Sequence, residues 1–318
     1  MASEISCSTI IPTIGRASLT RAVVSVLEQE VTGGSFEVIV VNDSGQPLPD
    51  FEWTGSERVR LIETNRWNRC VARNAGAAVA RGRYFHFLDD DDWMLPGAFS
   101  RLWEVAETSS AAWIYGGYRL VDREGEFLEE CRPDEQGNCA IRFAVGEWLP
   151  LQVSLIRSGA FFAAGGFASL DSLLGGDEDV DLSRQISLKH EIAGTPHPVA
   201  VIHFGHEGST TNYDQLQQQS RISREKMLAS PGAAGRLLHS ARTRPLYKEY
   251  WLGRVFWCYL ASIYWNLRHR RPLRAASRSL YGVFTFLAAG KRIMSPRFWR
   301  GAAGRQLIRG WLSTGPAI

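Results

Sequence analysis

Cysteine is scarce in this sequence, and no two cysteines have the close spacing typical of metal ligands. The chain holds five of them, an odd number, which favours reduced thiols over a disulfide framework. The first residues also lack the basic start and the long apolar stretch of a secretory signal peptide. Internal repeats are missing as well. These absences predict a globular chain in the cytosol.

Acidic residues are almost missing from the end of the chain. Residues 241–318 contain two lysines and thirteen arginines against one acid, Glu249, which gives a net charge of +14. Residues 1–240 carry 21 basic and 32 acidic side chains, a net charge of −11. A division this large predicts that the two parts meet different partners, and a basic segment favours a polyanion such as an anionic membrane surface.

The spacing of apolar residues predicts alternating strands and helices. Strands are expected at 5–11, 36–41, 58–63 and 84–88, with helices at 18–30 and 68–80. This order predicts an α/β fold with a mainly parallel central sheet flanked by helices. Further strands at 113–118, 149–156 and 199–204, with a helix at 96–107, continue the same domain.

Three polar segments follow predicted strands. Pro12 and Thr13 follow the first strand, N-D-S-G (42–45) follows the second, and four adjacent aspartates (89–92) follow the fourth. The carboxyl ends of parallel strands meet at one edge of a sheet, so we expect the three segments to converge there. Four carboxylates repel one another, and a bound cation would offset that repulsion. The simpler interpretation of the cluster is a solvated acidic turn.

Seven motifs, taken together, resemble glycosyltransferase family 2, whose members have the GT-A fold. They are T-I-I-P-T-I-G-R (9–16), V-V-N-D-S-G (40–45), R-N-A-G (73–76), F-L-D-D-D-D-W (87–93), G-G-F (165–167), E-D-V-D-L (178–182) and H-E-G-S-T-T (206–211). Their order and spacing carry the resemblance, which covers roughly residues 4–215. It implies an inverting enzyme that moves a sugar from a nucleotide-diphosphate sugar to a glycan or lipid-linked acceptor.

The resemblance implies a divalent cation, Mn²⁺ or Mg²⁺, at the aspartate cluster. Asp89 and Asp91 match the two acids of the family's D-x-D pattern. Asp91 is the preferred metal ligand, and Asp89 is expected to face the ribose or a metal-bound water. Asp92 could orient these two residues without binding the metal itself. His206 matches a family histidine near the diphosphate, expected to ligate the metal or donate to phosphate. The alternative for His206 is a structural histidine.

The resemblance also implies a nucleotide site, for which uridine is favoured. Pro12 and Thr13 match the edge that packs on the base, and Asp43 matches the acid that accepts a hydrogen bond from it. Arg73 matches an arginine expected to approach the base or the phosphates. The alternatives are a structural turn aspartate at position 43 and an exposed helix arginine at position 73.

The general base implied by the resemblance is Asp179, with Glu178 as the second choice. Inversion needs one carboxylate that removes the proton from the acceptor hydroxyl as that hydroxyl attacks the anomeric carbon. The alternative is an acidic helix start, favoured by the helix dipole.

The basic tail contains two aromatic-rich apolar segments, at 251–267 and 281–289. The first is at the short limit for crossing a bilayer and contains Arg254, and the second is too short. We therefore expect helices that lie in the membrane interface. Helices packed on the catalytic domain are the main alternative, and nucleic-acid binding is the least favoured.

These expectations define two regions. A GT-A catalytic domain is expected at 1–240, with a nucleotide-sugar half at about 1–95 and an acceptor half at about 96–240, before a helical extension at 241–318. The protein would be cytoplasmic, peripheral on the inner face of the cell membrane, with no nucleic-acid partner. The alternative function is a non-catalytic or nucleotidyltransferase-like nucleotide-binding protein of a polysaccharide assembly system.

Overall fold

The structure is a computed structural model. It describes residues 5–30, 34–144, 149–168, 178–204, 226, 227, 229, 243–268, 270–296, 298 and 299. Contacts between Cα atoms divide the chain into two compact units, of which the first comprises residues 1–139, 149–172 and 185–206. The second comprises residues 140–148, 173–184 and 207–318. Two internal segments therefore leave the first unit to join the C-terminal part of the chain.

The first unit begins with four parallel strands. They are β1 (Cys7–Thr13), β2 (Phe36–Asn42), β3 (Val59–Glu63) and β4 (Tyr84–Phe87), in the spatial order β3-β2-β1-β4. Helix α1 (Leu19–Leu27) connects β1 to β2, and α2 (Arg69–Val79) connects β3 to β4. Every residue of β1, β2 and β4 is buried, as expected for strands covered on both faces.

Beyond β4 the sheet is mixed. Its remaining strands are β5 (Trp93–Met94), β6 (Trp113–Val121), β7 (Phe127–Cys131), β8 (Ser154–Arg157) and β9 (Ile192–His203). Strand β8 is antiparallel to both β4 and β6, whereas β9 is parallel to β6. Helices α3 (Ala98–Thr108) and α5 (Ser158–Ala163) flank this half. The predicted α/β class is confirmed, with the parallel arrangement strongest in the first half.

Helix α2 lies very close to the sheet because Gly76 faces it. A Cβ atom at Gly76 would lie 2.4 Å from Cγ2 of Ile10 in β1. The start of α2 is fixed by Asn68, whose side-chain oxygen accepts hydrogen bonds from the backbone N–H of Cys70 (2.9 Å) and of Val71 (3.3 Å). These two features fix the position of α2 relative to the ends of the strands.

The second unit is helical in its described part. It contains α4 (Ala140–Ala144), residues 178–184 of α6 (Glu178–Ser187), α7 (Thr243–Arg268), α8 (Pro272–Ala289) and a 3₁₀ turn (Gly290–Met294). Helices α7 and α8 pack together through ring contacts, with centroids 5.4 Å apart for Phe256 and Phe286. The predicted C-terminal helices are confirmed. None of the helices in the described ranges combines the length and the apolar character needed to cross a bilayer.

Candidate active site

The four aspartates follow β4 directly and lie at the carboxyl end of the parallel strands. Asp90 and Asp92 are buried, and Asp89 and Asp91 are half-buried. Asp89, Asp91 and Asp92 each present a carboxylate oxygen such that the three atoms lie within 4.8 Å of one another. The cluster is therefore not a solvated turn. Its hard oxygen donors are the type that Mg²⁺ and Mn²⁺ take in proteins.

Asp90 connects the cluster to the end of β1. Its carboxylate accepts hydrogen bonds from the Thr13 hydroxyl (2.6 Å) and from the Arg16 guanidinium (2.5 Å). Burial raises the pKa of Asp90, while the bonds from Thr13 and Arg16 oppose that rise. Arg16 also lies 3.5 Å from a carboxylate oxygen of Asp91. The Thr13 side chain, expected at the base edge, thus braces the aspartate cluster.

Asp92 connects the cluster to the end of β9. It accepts a hydrogen bond from the backbone N–H of His203 at 2.8 Å. Burial raises the pKa of Asp92 well above its ordinary value, and the carboxylates of Asp89 and Asp91 add to the rise. The His203 ring lies in the same place, with Nδ1 donating to the carbonyl oxygen of Asp91 at 2.6 Å. Crowded carboxylates of this kind are the electrostatic situation that a bound cation relieves.

Asp89 is oriented by two donors from different parts of the chain. Arg73 of α2 donates to one of its oxygens at 2.5 Å, and Gln152 donates to the other at 2.9 Å. Arg73 is buried, and its guanidinium carbon lies 5.4 Å from the ring centroid of Phe167. Arg73 is therefore not an exposed helix arginine. The R-N-A-G and G-G-F motifs meet beside the first acid of the D-x-D pattern.

Asp43, at the end of β2, holds the loop before α2. One of its oxygens accepts from the Thr64 hydroxyl and the Arg66 N–H, both at 2.7 Å, and the other from the Asn68 N–H at 2.6 Å. These bonds flank Trp67, whose φ is +50° and whose side chain is 68% exposed. A bulky residue in the left-handed region is strained, so the loop holds an exposed indole at a conformational cost.

The two acidic residues predicted as the general base belong to the second unit. Glu178 and Asp179 form the first turn of α6, where Glu178 is buried and Asp179 is half-buried. Asp179 accepts a hydrogen bond from the Val180 N–H at 2.8 Å. Two residues on, the buried Asp181 pairs with Lys226 at 2.6 Å. His206 lies outside the described residues.

Three site residues were not identified in the sequence. Arg16 stands at the end of a motif that was recognised, so its basic charge near an acidic cluster was a usable signal. Gln152 lies 63 residues from Asp89 in the chain and comes from a 3₁₀ turn (Leu151–Val153), so only the fold reveals it. His203 is the last residue of β9, and the structure brings it to Asp91 and Asp92.

Comparison with known proteins finds related sequences. Residues 8–152 match the sequence model of the family described as Glycosyl transferase family 2. An uncharacterized glycosyltransferase of Rickettsia bellii is 33% identical over 133 residues, which are 40% of this chain and 19% of that protein. Poly(ribitol-phosphate) beta-N-acetylglucosaminyltransferase TarP of Staphylococcus aureus is 30% identical over 139 residues, 42% of each chain. The match therefore spans less than half the length of these relatives.

Solved structures share the fold at low sequence identity. Residues 1–349 of S. aureus TarS superpose with a TM-score of 0.54 at 13% identity, covering 86% of this chain and 90% of that one. The same part of TarS in complex with UDP-GlcNAc gives a TM-score of 0.55 at 14% identity, covering 87% of this chain and 89% of that one. At this identity the likeness establishes the fold alone.

Proposed function

The chain belongs to glycosyltransferase family 2 through its residues 8–152, and from that premise we propose that it is a metal-dependent inverting sugar transferase. The donor is a nucleotide-diphosphate sugar, with a UDP-sugar favoured. The acceptor is a glycan or a lipid-linked glycan. The observation that carries the proposal is the meeting of three carboxylates and two arginines at one sheet edge.

The charges at this edge suit a diphosphate held with a cation. Asp89, Asp91 and Asp92 supply the oxygens within 4.8 Å of one another that would hold Mn²⁺ or Mg²⁺. When bound, the cation supplies charge neutralisation for the diphosphate leaving group. Arg16 and Arg73 contact carboxylates of the cluster and fix their orientation before the donor arrives. His206 stays a proposed metal ligand. The contacts of His203 with Asp91 and Asp92 favour a role in positioning these two aspartates.

We assign the binding site of the donor's nucleobase to the end of β2. Pro12 is buried in β1, next to β2, and Asp43 follows β2. A carboxylate has about four acceptor positions, and Asp43 uses three of them on the loop, which leaves capacity for one hydrogen bond from a uracil N–H. The exposed Trp67 ring, held between two of those bonds, offers a stacking surface beside the same carboxylate.

The uridine preference draws on relatives. TarS has been solved in complex with UDP-GlcNAc and with UDP, and TarP is named as an N-acetylglucosaminyltransferase. UDP-GlcNAc is therefore the first donor to test.

Asp179 is the proposed general base. It would take the proton from the acceptor hydroxyl while that oxygen bonds to the anomeric carbon and the bond to the diphosphate breaks. Its half-buried position supports this choice over the buried Glu178, and Asp181 is occupied by Lys226. A single displacement of the diphosphate by the acceptor hydroxyl inverts the anomeric centre.

The protein is proposed to work at the inner face of the cell membrane. A net charge of +14 over residues 241–318 supports attraction to anionic lipid, where a lipid-linked acceptor would be found.

A panel of nucleotide sugars tests the enzymatic proposal. Hydrolysis of UDP-GlcNAc, UDP-glucose and GDP-mannose is measured with Mn²⁺, with Mg²⁺ and with EDTA. Metal-dependent release of UDP supports the proposal. Binding without turnover of any donor, in the presence of acceptor extracts, would favour the non-catalytic alternative instead. Release of pyrophosphate from a nucleoside triphosphate and a sugar phosphate would favour the nucleotidyltransferase alternative.

A further inference from the structure

Helix α8, in the second unit, exposes four large apolar side chains. Leu273 is 87% exposed, Leu280 is 74% exposed, and Phe284 and Leu287 are each 71% exposed. Their spacing of seven, four and three positions places them in one stripe along the helix. We call these four residues the outward stripe. Contiguous apolar surface of this kind marks a contact with a partner rather than with water.

The packing of α8 on α7 fixes this orientation. The buried residues of α8 are small: Ala275, Gly282, Thr285 and Ala289. A Cβ atom at Gly282 would lie 3.5 Å from the Cβ of Tyr259 in α7, so the small face lets the two helices approach closely. Tyr281 stacks on Tyr259 with ring centroids 5.8 Å apart. Rotating the outward stripe inward would place leucine and phenylalanine side chains where these small residues now pack.

The charged residues within α8 and directly beside it in the sequence are all basic. At about 100° per residue, Arg274 lies beside the outward stripe, and Arg278 lies further round, toward the face that packs on α7. Two arginines precede the helix, at 270 and 271, and Lys291 and Arg292 follow it. No acidic residue occurs between positions 250 and 318 of the sequence. An apolar face whose neighbouring residues in the sequence are basic matches a surface that is apolar inside and anionic at its rim.

We propose that the outward stripe inserts into the interface of a bilayer with anionic headgroups, with α8 lying along the membrane plane. A helix of 18 residues that exposes one apolar stripe, with Arg274 beside it and basic residues at both ends, lies on a membrane rather than across it. A second copy of this chain is the weaker candidate, because a two-fold contact would oppose two arginine-bordered faces without an acid. The inference rests on the membrane association proposed above and names the surface responsible.

Vesicle binding of the full-length chain tests the assignment. Cosedimentation is measured with phosphatidylcholine vesicles and with vesicles containing phosphatidylglycerol. The double variant Leu280→Gln/Phe284→Gln should bind both vesicle types at least about tenfold more weakly than wild type. The matched control is Leu61→Gln/Phe127→Gln, which changes two residues of the first unit that are 45% and 63% exposed. Its binding should equal that of wild type.

A second pair of substitutions separates charge from insertion. Arg274→Gln/Lys291→Gln should weaken binding to the anionic vesicles and leave binding to the neutral vesicles unchanged. Raising the salt concentration should weaken wild-type binding to anionic vesicles down to a residual level, because screening removes the charge contribution but not the apolar one.

Three results would overturn the assignment. The first is wild-type binding by the Leu280→Gln/Phe284→Gln variant. The second is a wild-type dimer in lipid-free solution that this variant converts to a monomer, which would assign the stripe to a second copy. The third is wild-type protein that ignores both vesicle types, which would reject membrane association as well. Metal-dependent donor hydrolysis without vesicles should be equal in wild type and all variants, so its loss in wild type rejects the enzymatic proposal separately.

Discussion

The side-chain amide of Asn74 forms two hydrogen bonds with the backbone of Phe167, although 93 residues separate them. Its nitrogen donates to the Phe167 carbonyl at 2.8 Å, and its oxygen accepts from the Phe167 N–H at 3.0 Å. Phe167 packs against Arg73, the neighbour of Asn74 that contacts Asp89. The amide therefore fixes the distance between helix α2 and the G-G-F turn at the aspartate cluster.

Removing this amide should destabilise the first unit. Asn74→Ala leaves both backbone groups of Phe167 without their partner, and we expect a loss of about 1–3 kcal/mol in the free energy of unfolding. Denaturant titration measures it. Gly166→Ala should also destabilise, because φ is +67° and a Cβ would lie 2.8 Å from Oδ1 of Asn74. Gly159→Ala in α5 is the control, since its Cβ meets nothing within 4 Å and its stability should not fall.

The metal assignment predicts a loss of function without a loss of fold. Asp91→Asn should abolish donor turnover and metal-dependent UDP binding, because one of three close carboxylates loses its charge. Circular dichroism should be unchanged. Asp122→Asn, in the β6–β7 turn, is the control and should behave as wild type in catalysis. Turnover that continues in EDTA would remove the cation from the mechanism.

The general base can be separated from donor binding. Asp179→Asn should lower the transfer rate by at least about 10²-fold while UDP affinity stays near that of wild type. Asp181→Asn is the informative comparison, because Asp181 pairs with Lys226 and should affect thermal stability more than transfer chemistry. Product from the wild type should have the inverted anomeric configuration by NMR. A retained configuration would exclude this role for Asp179.

The strained Trp67 separates stability from nucleotide affinity. Trp67→Gly removes the cost of a left-handed backbone in the folded state, about 1–2 kcal/mol. Glycine also gives the unfolded chain more conformational freedom, which lowers stability by about 0.5–1 kcal/mol. The free energy of unfolding should therefore stay the same or rise slightly. UDP affinity should nevertheless fall at least about fivefold, the low end for losing an aromatic stack on a base. Calorimetry measures both. Arg270→Gly is the control, with φ of +55° in the second unit and no expected effect on UDP. Unchanged affinity in Trp67→Gly would exclude the stacking role.

Buried His86 should make the protein acid-sensitive. Burial lowers the pKa of His86 to about 4, and the ring is held neutral between the Thr9 hydroxyl and the Gln152 carbonyl. Below its unfolded value of about 6.5, the unfolded chain binds this proton and the folded chain does not. Stability should therefore fall by about 3 kcal/mol as pH drops from 6.5 to 4. His86→Gln should flatten that part of the stability curve relative to wild type, and parallel curves would contradict the assignment.

The sequence allowed the strand-end chemistry to be predicted because buried strands and turn residues are local signals. Helix α2 was expected at 68–80 and is observed at Arg69–Val79, since Asn68 and the alanine-rich run are both visible in the sequence. The antiparallel entry of β8 was not predicted, because no local pattern records which strand a segment will pair with. The same reason hid Gln152, whose role depends on that strand's approach to β4. The outward direction of the apolar stripe on α8 was not predictable either, because it depends on how α7 packs against α8.

The Asp43 carboxylate sets a limit on how this chain can change in length. Its two oxygens meet backbone N–H groups on both sides of Trp67, so the loop from 64 to 68 has a fixed residue count. One inserted residue would break one of those bonds and shift the start of α2, and with it the Arg73 contact to Asp89. Surface loops generally accept insertions. The Asp122–Glu126 turn is closed by hydrogen bonds between Asp122, Gly125 and Glu126 and should accept them. Homologous chains should therefore vary in length at that turn and keep a constant number of residues in the loop from 64 to 68.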